Sequence, residues 1–169
     1  LQSNEAALYF DIEQSDTDTM PTHYRGSPEE ALALNTMIKL ARSLSALSGR
    51  LVPPLQREFG ITESQLGVLE ALYHLGPLSQ GQLCQKILKS GSNVTTVVDN
   101  LERDGLVRRE RDAADRRVQV VTLTEKGTEL ISRAFPTHAR RVAELMSSLA
   151  PEEQRELGRL CAKLGSAAG

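Results

Sequence analysis

Apolar positions recur along this chain at helical spacing, punctuated by capping residues, glycine and proline. The first run follows Ser27-Pro28-Glu29-Glu30. A capping serine, a proline in the first turn and two carboxylates at the positive end of the helix dipole mark a helix start. Leu34, Met37, Ile38, Ala41, Leu44, Leu47 and Leu51 then fall three or four residues apart, and Leu32 and Leu40 widen the stripe. A helix apolar over so much of its circumference is expected to pack on two neighbours at once. Pro53-Pro54 removes two helical donors, which predicts a kink or break near Gly49–Pro54. Leu55 and Phe59 resume the pattern and Gly60 stops it.

Thr62-Glu63-Ser64-Gln65 is a capping-box pattern, and Leu66, Val68, Leu69, Leu72 and Leu75 make the helix it opens. Gly76-Pro77 ends that helix. Ser79-x-x-Gln82 repeats the capping pattern before a short helix with Leu83, Ile87 and Leu88. Lys89-Ser90-Gly91-Ser92 reads as a turn, and Val94, Val97, Val98 and Leu101 set the inner face of the next helix, closed by Asp104-Gly105. Two short helices joined by a glycine-containing turn predict a helix-turn-helix.

Leu106–Arg111 and Arg117–Leu123 read as two strands around a turn at Asp112-Ala113-Ala114-Asp115. Thr124 caps a long helix carrying Leu130, Ile131, Phe135, Val142, Leu145, Met146 and Leu149, with a bend expected at Pro136. Ala150-Pro151-Glu152-Glu153 opens a last helix with Leu157, Leu160, Cys161 and Leu164 apolar. The expected fold is mainly α with a small β-hairpin: three helices, a recognition-type helix, a hairpin and two helices.

Composition narrows this picture. The chain has 169 residues, enough for one core, with 4% aromatic residues and no Trp, so Leu, Val, Ile and Ala must build that core. No apolar run approaches the ~18–20 residues of a membrane span, and the N-terminus does not resemble a secretory signal. Cys84 and Cys161 lie far apart without a CxxC, which argues against a disulfide framework and fits a reducing, cytoplasmic setting. Residues 1–26 read as a flexible acidic tail or leader, with an acidic arm folding onto a basic face as the functional alternative. The five acids of residues 1–19 hide a bias: residues 20–169 hold 17 acids against 20 bases, a net of +3.

That positive charge gathers in the centre of the chain. If Val94, Val97, Val98 and Leu101 face inward, Ser92, Asn93, Thr95, Thr96 and Asn100 face outward. These short polar side chains suit the base edges of a major groove, where Asn can bracket adenine and a Thr methyl can meet the thymine methyl. Arg109, Arg111, Arg116 and Arg117 on the hairpin suit phosphates and a narrow minor groove. Asp115 would brace one of them. Surface ion pairing is the competing reading for these arginines.

Residues 79–127 resemble the MarR family of bacterial winged-helix transcription regulators. The resemblance rests on the helix Ser92–Glu102, on Gly105-Leu106-Val107-Arg108-Arg109, and on Asp115-x-Arg117 followed at fixed spacing by Leu123-Thr124 and Gly127. It implies a winged helix-turn-helix module at residues 62–123 within a domain of residues 27–169, flanked by dimerisation helices at 27–59 and 124–167. It also implies a homodimer on a pseudo-palindromic double-stranded DNA operator, with Arg117 the minor-groove candidate. Repression, released by a small aromatic ligand or by thiol oxidation, goes with that resemblance.

Other chemistry finds little support. Cys84, on the first helix of the pair, is a possible redox site, although a buried structural thiol is the plainer reading, and Cys161 is expected in the core or a dimer interface. His23, His74 and His138 lack metal-site spacing, so no metal or cofactor is expected. There is no Gly-rich phosphate loop, HExxH or Gly-x-Ser-x-Gly, and no enzyme is expected. The alternatives to a ligand-released DNA-binding regulator are a winged-helix protein-interaction module without DNA binding and a thiol-based redox sensor.

Overall fold

The computed structural model describes residues 24–87, 91–111 and 117–168, without the side chains of 91–93 and 167–168. The elements run α1 (Pro28–Phe59), α2 (Glu63–Leu75), β1 (Leu78–Ser79), α3 (Gln80–Ile87), α4 (Gly91–Arg103), β2 (Val107–Arg111), β3 (Gln119–Leu123), α5 (Glu125–Met146) and α6 (Pro151–Ala168). The fold is mainly α with a small antiparallel sheet, as the periodicity predicts. By backbone contacts the chain divides into two units, Leu1–Ala46 and Leu47–Gly169.

Local sequence explains most helix ends. At α1 the Glu30 N–H donates to Ser27 Oγ at 3.2 Å, and the Ser27 N–H donates to Glu30 Oε2 at 2.9 Å. Thr62 and Gln65 satisfy each other in the same reciprocal way at α2, and Ser79 and Gln82 do so at α3. Each pair satisfies donors that a helix start leaves without partners. At the other end of α4, the Gly105 N–H donates to Glu102 O at 2.9 Å and the Leu106 N–H to Leu101 O at 2.8 Å. This Schellman closure requires a left-handed residue, and Gly105 supplies it at φ 71°.

Three expectations are corrected, and a fourth is narrowed. The helix does not break at Pro53-Pro54: α1 is continuous from Pro28 to Phe59. Two missing N–H groups do not end a helix whose following turn is held by burial, and here Leu55 is buried and Phe59 packs against the core. The expected turn at Lys89–Ser92 is shorter on its C-terminal side, because Gly91 and Ser92 already belong to α4; residues 88–90 lie outside the described part. Leu149 falls beyond α5, in a turn whose N–H donates to Met146 O. Of the two places expected for Cys161, the core or a dimer interface, its exposure in the single chain removes the core.

In the unit Leu47–Gly169 one core gathers Leu55, Val68, Leu69, Leu83, Val94, Val98, Leu101, Val107, Val121, Ile131 and Ala134. The sheet has the order β1-β3-β2, with Leu78 opposite Val121 and Arg109 opposite Val121 on the other side. β1 has only two residues and was not expected. It ties the start of α3 to the hairpin. In Leu1–Ala46, by contrast, Leu32, Met37 and Leu44 remain more than 60% exposed. Among the described residues no helix is long and apolar enough to cross a membrane.

Candidate nucleic-acid interface

α4 is positioned by its apolar face. Val94, Val98 and Leu101 are fully buried, and α3 and α2 pack against the helix. Burial of three such side chains is worth roughly 1.5–3 kcal/mol each, enough to fix which face turns outward. Thr95 and Thr96 are exposed, while Asn100 is only half-exposed and sits at the edge of that face. Ser92 and Asn93 lie in the first turn of α4, and their side chains lie outside the described part.

One residue of this surface gave no signal in the sequence. Gln80, the first residue of α3, donates from Nε2 to Thr95 Oγ1. The contact spans fifteen positions and depends on how α3 and α4 cross, so no local pattern announces it.

The C-terminal end of α4 is gripped by the start of α5. Thr124 Oγ1 donates to Gly105 O at 2.8 Å, the Thr124 N–H to Leu106 O at 3.1 Å and Lys126 Nζ to Asp104 O at 2.7 Å. Thr124 Oγ1 also accepts from the Gly127 N–H at 3.0 Å. A Cβ on Gly127 would stand 2.0 Å from Leu106 O, so only glycine lets the two backbones approach this closely.

The hairpin arginines separate into two groups. Arg111 and Arg117 are exposed. Arg109 is turned inward, where its guanidinium meets Asp99 and Glu102 of α4. Burial disfavours its charge, but the hydrogen bonds it donates to Asp99 and then Glu102 outweigh that, and its pKa is raised. Asp115 and Arg116 lie outside the described part. Arg108 pairs with Glu110, and Arg103 stands 3.8 Å from Asp104; both pairs are exposed and contribute little.

Cys84 is half-buried and packs against the core. Among the described residues no group of three or more His, Cys, Asp or Glu is gathered to hold a metal ion. A cavity of about 440 Å³ lies where Phe59 and Ile61, Leu106 and the α5 residues Lys126, Leu130 and Arg133 meet. A second, of about 530 Å³, lies between α2 and the end of α3, with Glu63, Glu70, His74 and Lys86 on its walls.

The sequence profile of the MarR family matches residues 59–118. The HTH-type transcriptional regulator YkoM of Bacillus subtilis (strain 168) is 37% identical over 133 residues, covering 79% of this chain and 86% of YkoM. Among solved structures, Sco3205, a MarR family transcriptional regulator from Streptomyces coelicolor in complex with DNA, is similar at a TM-score of 0.74. The identity is 28%, and the match covers 85% of this chain and 94% of Sco3205. Bordetella bronchiseptica BpsR, whose DNA binding is regulated by 6-hydroxynicotinic acid, is similar at a TM-score of 0.62 and 25% identity, covering 75% of this chain and 98% of BpsR.

Proposed function

Because the chain belongs to the MarR family of winged helix-turn-helix transcriptional regulators, we propose that it acts as a homodimeric repressor released by a small aromatic ligand. Its relatives are DNA-binding regulators and not enzymes. The observation that carries the proposal is α4: Val94, Val98 and Leu101 are wholly buried and Val97 half-buried, so Thr95 and Thr96 are presented outward beside an arginine-bearing hairpin. Ser92, Asn93, Thr95, Thr96 and Asn100 read base edges in a major groove. Arg111, Arg116 and Arg117 lie along the adjacent backbone and minor groove, with Asp115 bracing the turn.

Residues 27–59 and 124–167 supply the dimer contacts, and residues 62–123 the reading module. The exposed Leu32, Met37 and Leu44 of α1, and Leu157, Leu160 and Leu164 of α6, support this assignment, since exposed leucines in such number favour a partner surface. Two copies of α4 then enter major grooves about one helical turn (~34 Å) apart.

For the effector, the cavity is lined by the apolar Phe59, Ile61, Leu106 and Leu130, with Lys126, Arg133, Asp104 and Glu129 also on its walls. Apolar side chains beside both cations and carboxylates suit a small aromatic ligand with polar substituents. BpsR, regulated by such a molecule, supports the ligand class. An anion that draws on Lys126 competes with the bond to Asp104 O that holds the end of α4.

The test is an operator selected from a random-sequence duplex pool, followed by binding at several salt concentrations. Selection of a pseudo-palindrome, with affinity falling steeply as salt rises, is the expected result. Failure to select any sequence, or salt-insensitive binding, overturns the reading. Asn93→Ala and Arg117→Ala should each weaken operator binding about 5- to 150-fold, the cost of about 1–3 kcal/mol for one lost base contact.

A further inference from the structure

β2 reads Val107-Arg108-Arg109-Glu110-Arg111, and alternate residues of a strand face opposite sides. Val107 is buried and Arg108 and Glu110 are exposed, so Arg109 lies on the side turned toward the core. Its side chain is 21% exposed, against 59% for Arg108 beside it. One guanidinium nitrogen meets Glu102 and the other meets Asp99. The Arg109 backbone N–H also donates to Glu102 Oε1 at 3.0 Å. Asp99 and Glu102 are three apart on α4 and share one face of it. A planar guanidinium with several donors can hold two carboxylates at once, which a lysine ammonium on its single flexible stem does poorly.

We infer that Arg109 is a positioning residue that braces the wing strand against the reading helix, and that it does not itself contact DNA. The inference rests on the proposed reading role of α4. Asp99 lies one turn beyond Thr95 and Thr96, so the brace acts close to the residues that face the groove. The grip of Thr124 and Lys126 fixes the turn that follows α4; Arg109 fixes the last turns of the helix relative to the hairpin that bears Arg111 and Arg117. Together they set the angle between the two reading surfaces.

A brace and a DNA contact predict opposite signs. If Arg109 touched phosphate, replacing Asp99 and Glu102 by amides would free the arginine, remove negative charge and tighten DNA binding. If Arg109 is a brace, the same replacements loosen the reading surfaces and lower discrimination.

The experiment uses the full chain, the selected operator and a shuffled duplex. Arg109→Ala is expected to lower the preference for operator over shuffled duplex about tenfold, a coupling of ordinary size for residues in one ion-pair network. The slope of log K against log salt should stay as in wild type. Asp99→Asn/Glu102→Gln should do the same, adding Arg109→Ala to it should cost little more, and Arg109→Lys should recover only part of the loss. A slope reduced by about one, together with tighter binding by the amide variant, would overturn the inference and make Arg109 a phosphate contact.

Hydrogen exchange on the free protein decides the brace independently of DNA. Amides of β2 and α4 should exchange faster in Arg109→Ala and in Arg109→Lys, and not in Arg108→Ala. Unchanged exchange overturns the brace. A wild-type chain that selects no operator overturns the DNA reading instead, and the exchange result still stands or falls by itself.

Discussion

Leu69 and Leu160 are the same side chain on two amphipathic helices, and they end in opposite circumstances. Leu69, on α2, is wholly buried, while Leu160, on α6, is 47% exposed. The apolar face of α2 is closed by α3, α4, α5 and the sheet. That of α6 is left open among the described residues of one chain, and so are Leu32, Met37 and Leu44 of α1, although Ala31 and Asn35 of the same helix are buried. Periodicity alone does not separate the two cases, because a helix face meant for a second copy is patterned like one meant for the chain's own core. On the proposed dimer, the difference is a division of apolar surface between folding and association.

The largest expected effect breaks the closed side. Leu69→Ala should destabilise the chain by about 2–5 kcal/mol through lost burial and a residual cavity. Urea denaturation reads it, and the loss should not depend on protein concentration. Gly127→Ala comes next, at about 1–3 kcal/mol, because a methyl group must push against the Leu106 carbonyl. The same denaturation measures it, with Gly81→Ala as a control, since a Cβ there meets nothing within 4 Å.

Leu160→Ala tests the open side. It should remove about 1–3 kcal/mol of association per copy while leaving the folded signal of a dilute sample nearly unchanged, so sedimentation equilibrium rather than denaturation detects it. An equal loss of stability at every concentration would place Leu160 with Leu69 and erase the distinction.

The smallest effect concerns the cap of α1. Hydrogen bonds from the Ser27 backbone N–H, then from Tyr24, hold the Glu30 carboxylate below its ordinary value of 4.5. A lowered folded pKa means that the contribution is complete above 4.5 and is lost as pH falls through the lowered value. The group is fully exposed, so the change should be confined to fraying of the first turn of α1. An NMR pH titration of the Ser27 amide reads it, and Glu30→Gln should abolish the transition.

Much of this fold was legible because its signals are local. Ser27 with Glu30, Thr62 with Gln65 and Ser79 with Gln82 are pairs three residues apart, and each forms in the structure. The inward face of α4 follows from the spacing of Val94, Val98 and Leu101. What was not legible depended on tertiary context. The continuity of α1 through Pro53-Pro54 reflects burial of Leu55 by residues far along the chain, and β1 is too short to show alternation.

The site divides along the same line. The exposure of Thr95 and Thr96 follows from helical period, but the bond from Gln80 to Thr95 depends on the crossing of two helices. Arg109 is the instructive case. Counting basic residues groups it with Arg111 and Arg117, whereas strand parity with Val107 places it on the inner side. That signal was present in five consecutive residues, and charge obscured it.

The bonds from Thr124 and Lys126 to the carbonyls of Asp104, Gly105 and Leu106 bear on how this reader would be transplanted. A chimera that joins the reading module to a foreign dimer scaffold after Leu123 would leave those three carbonyls to whatever residues the host provides. Moving the junction past Gly127 takes the latch along with the reader. The graft then needs from its host only a helix that continues from Thr128 onward, and its sequence preference should travel with it.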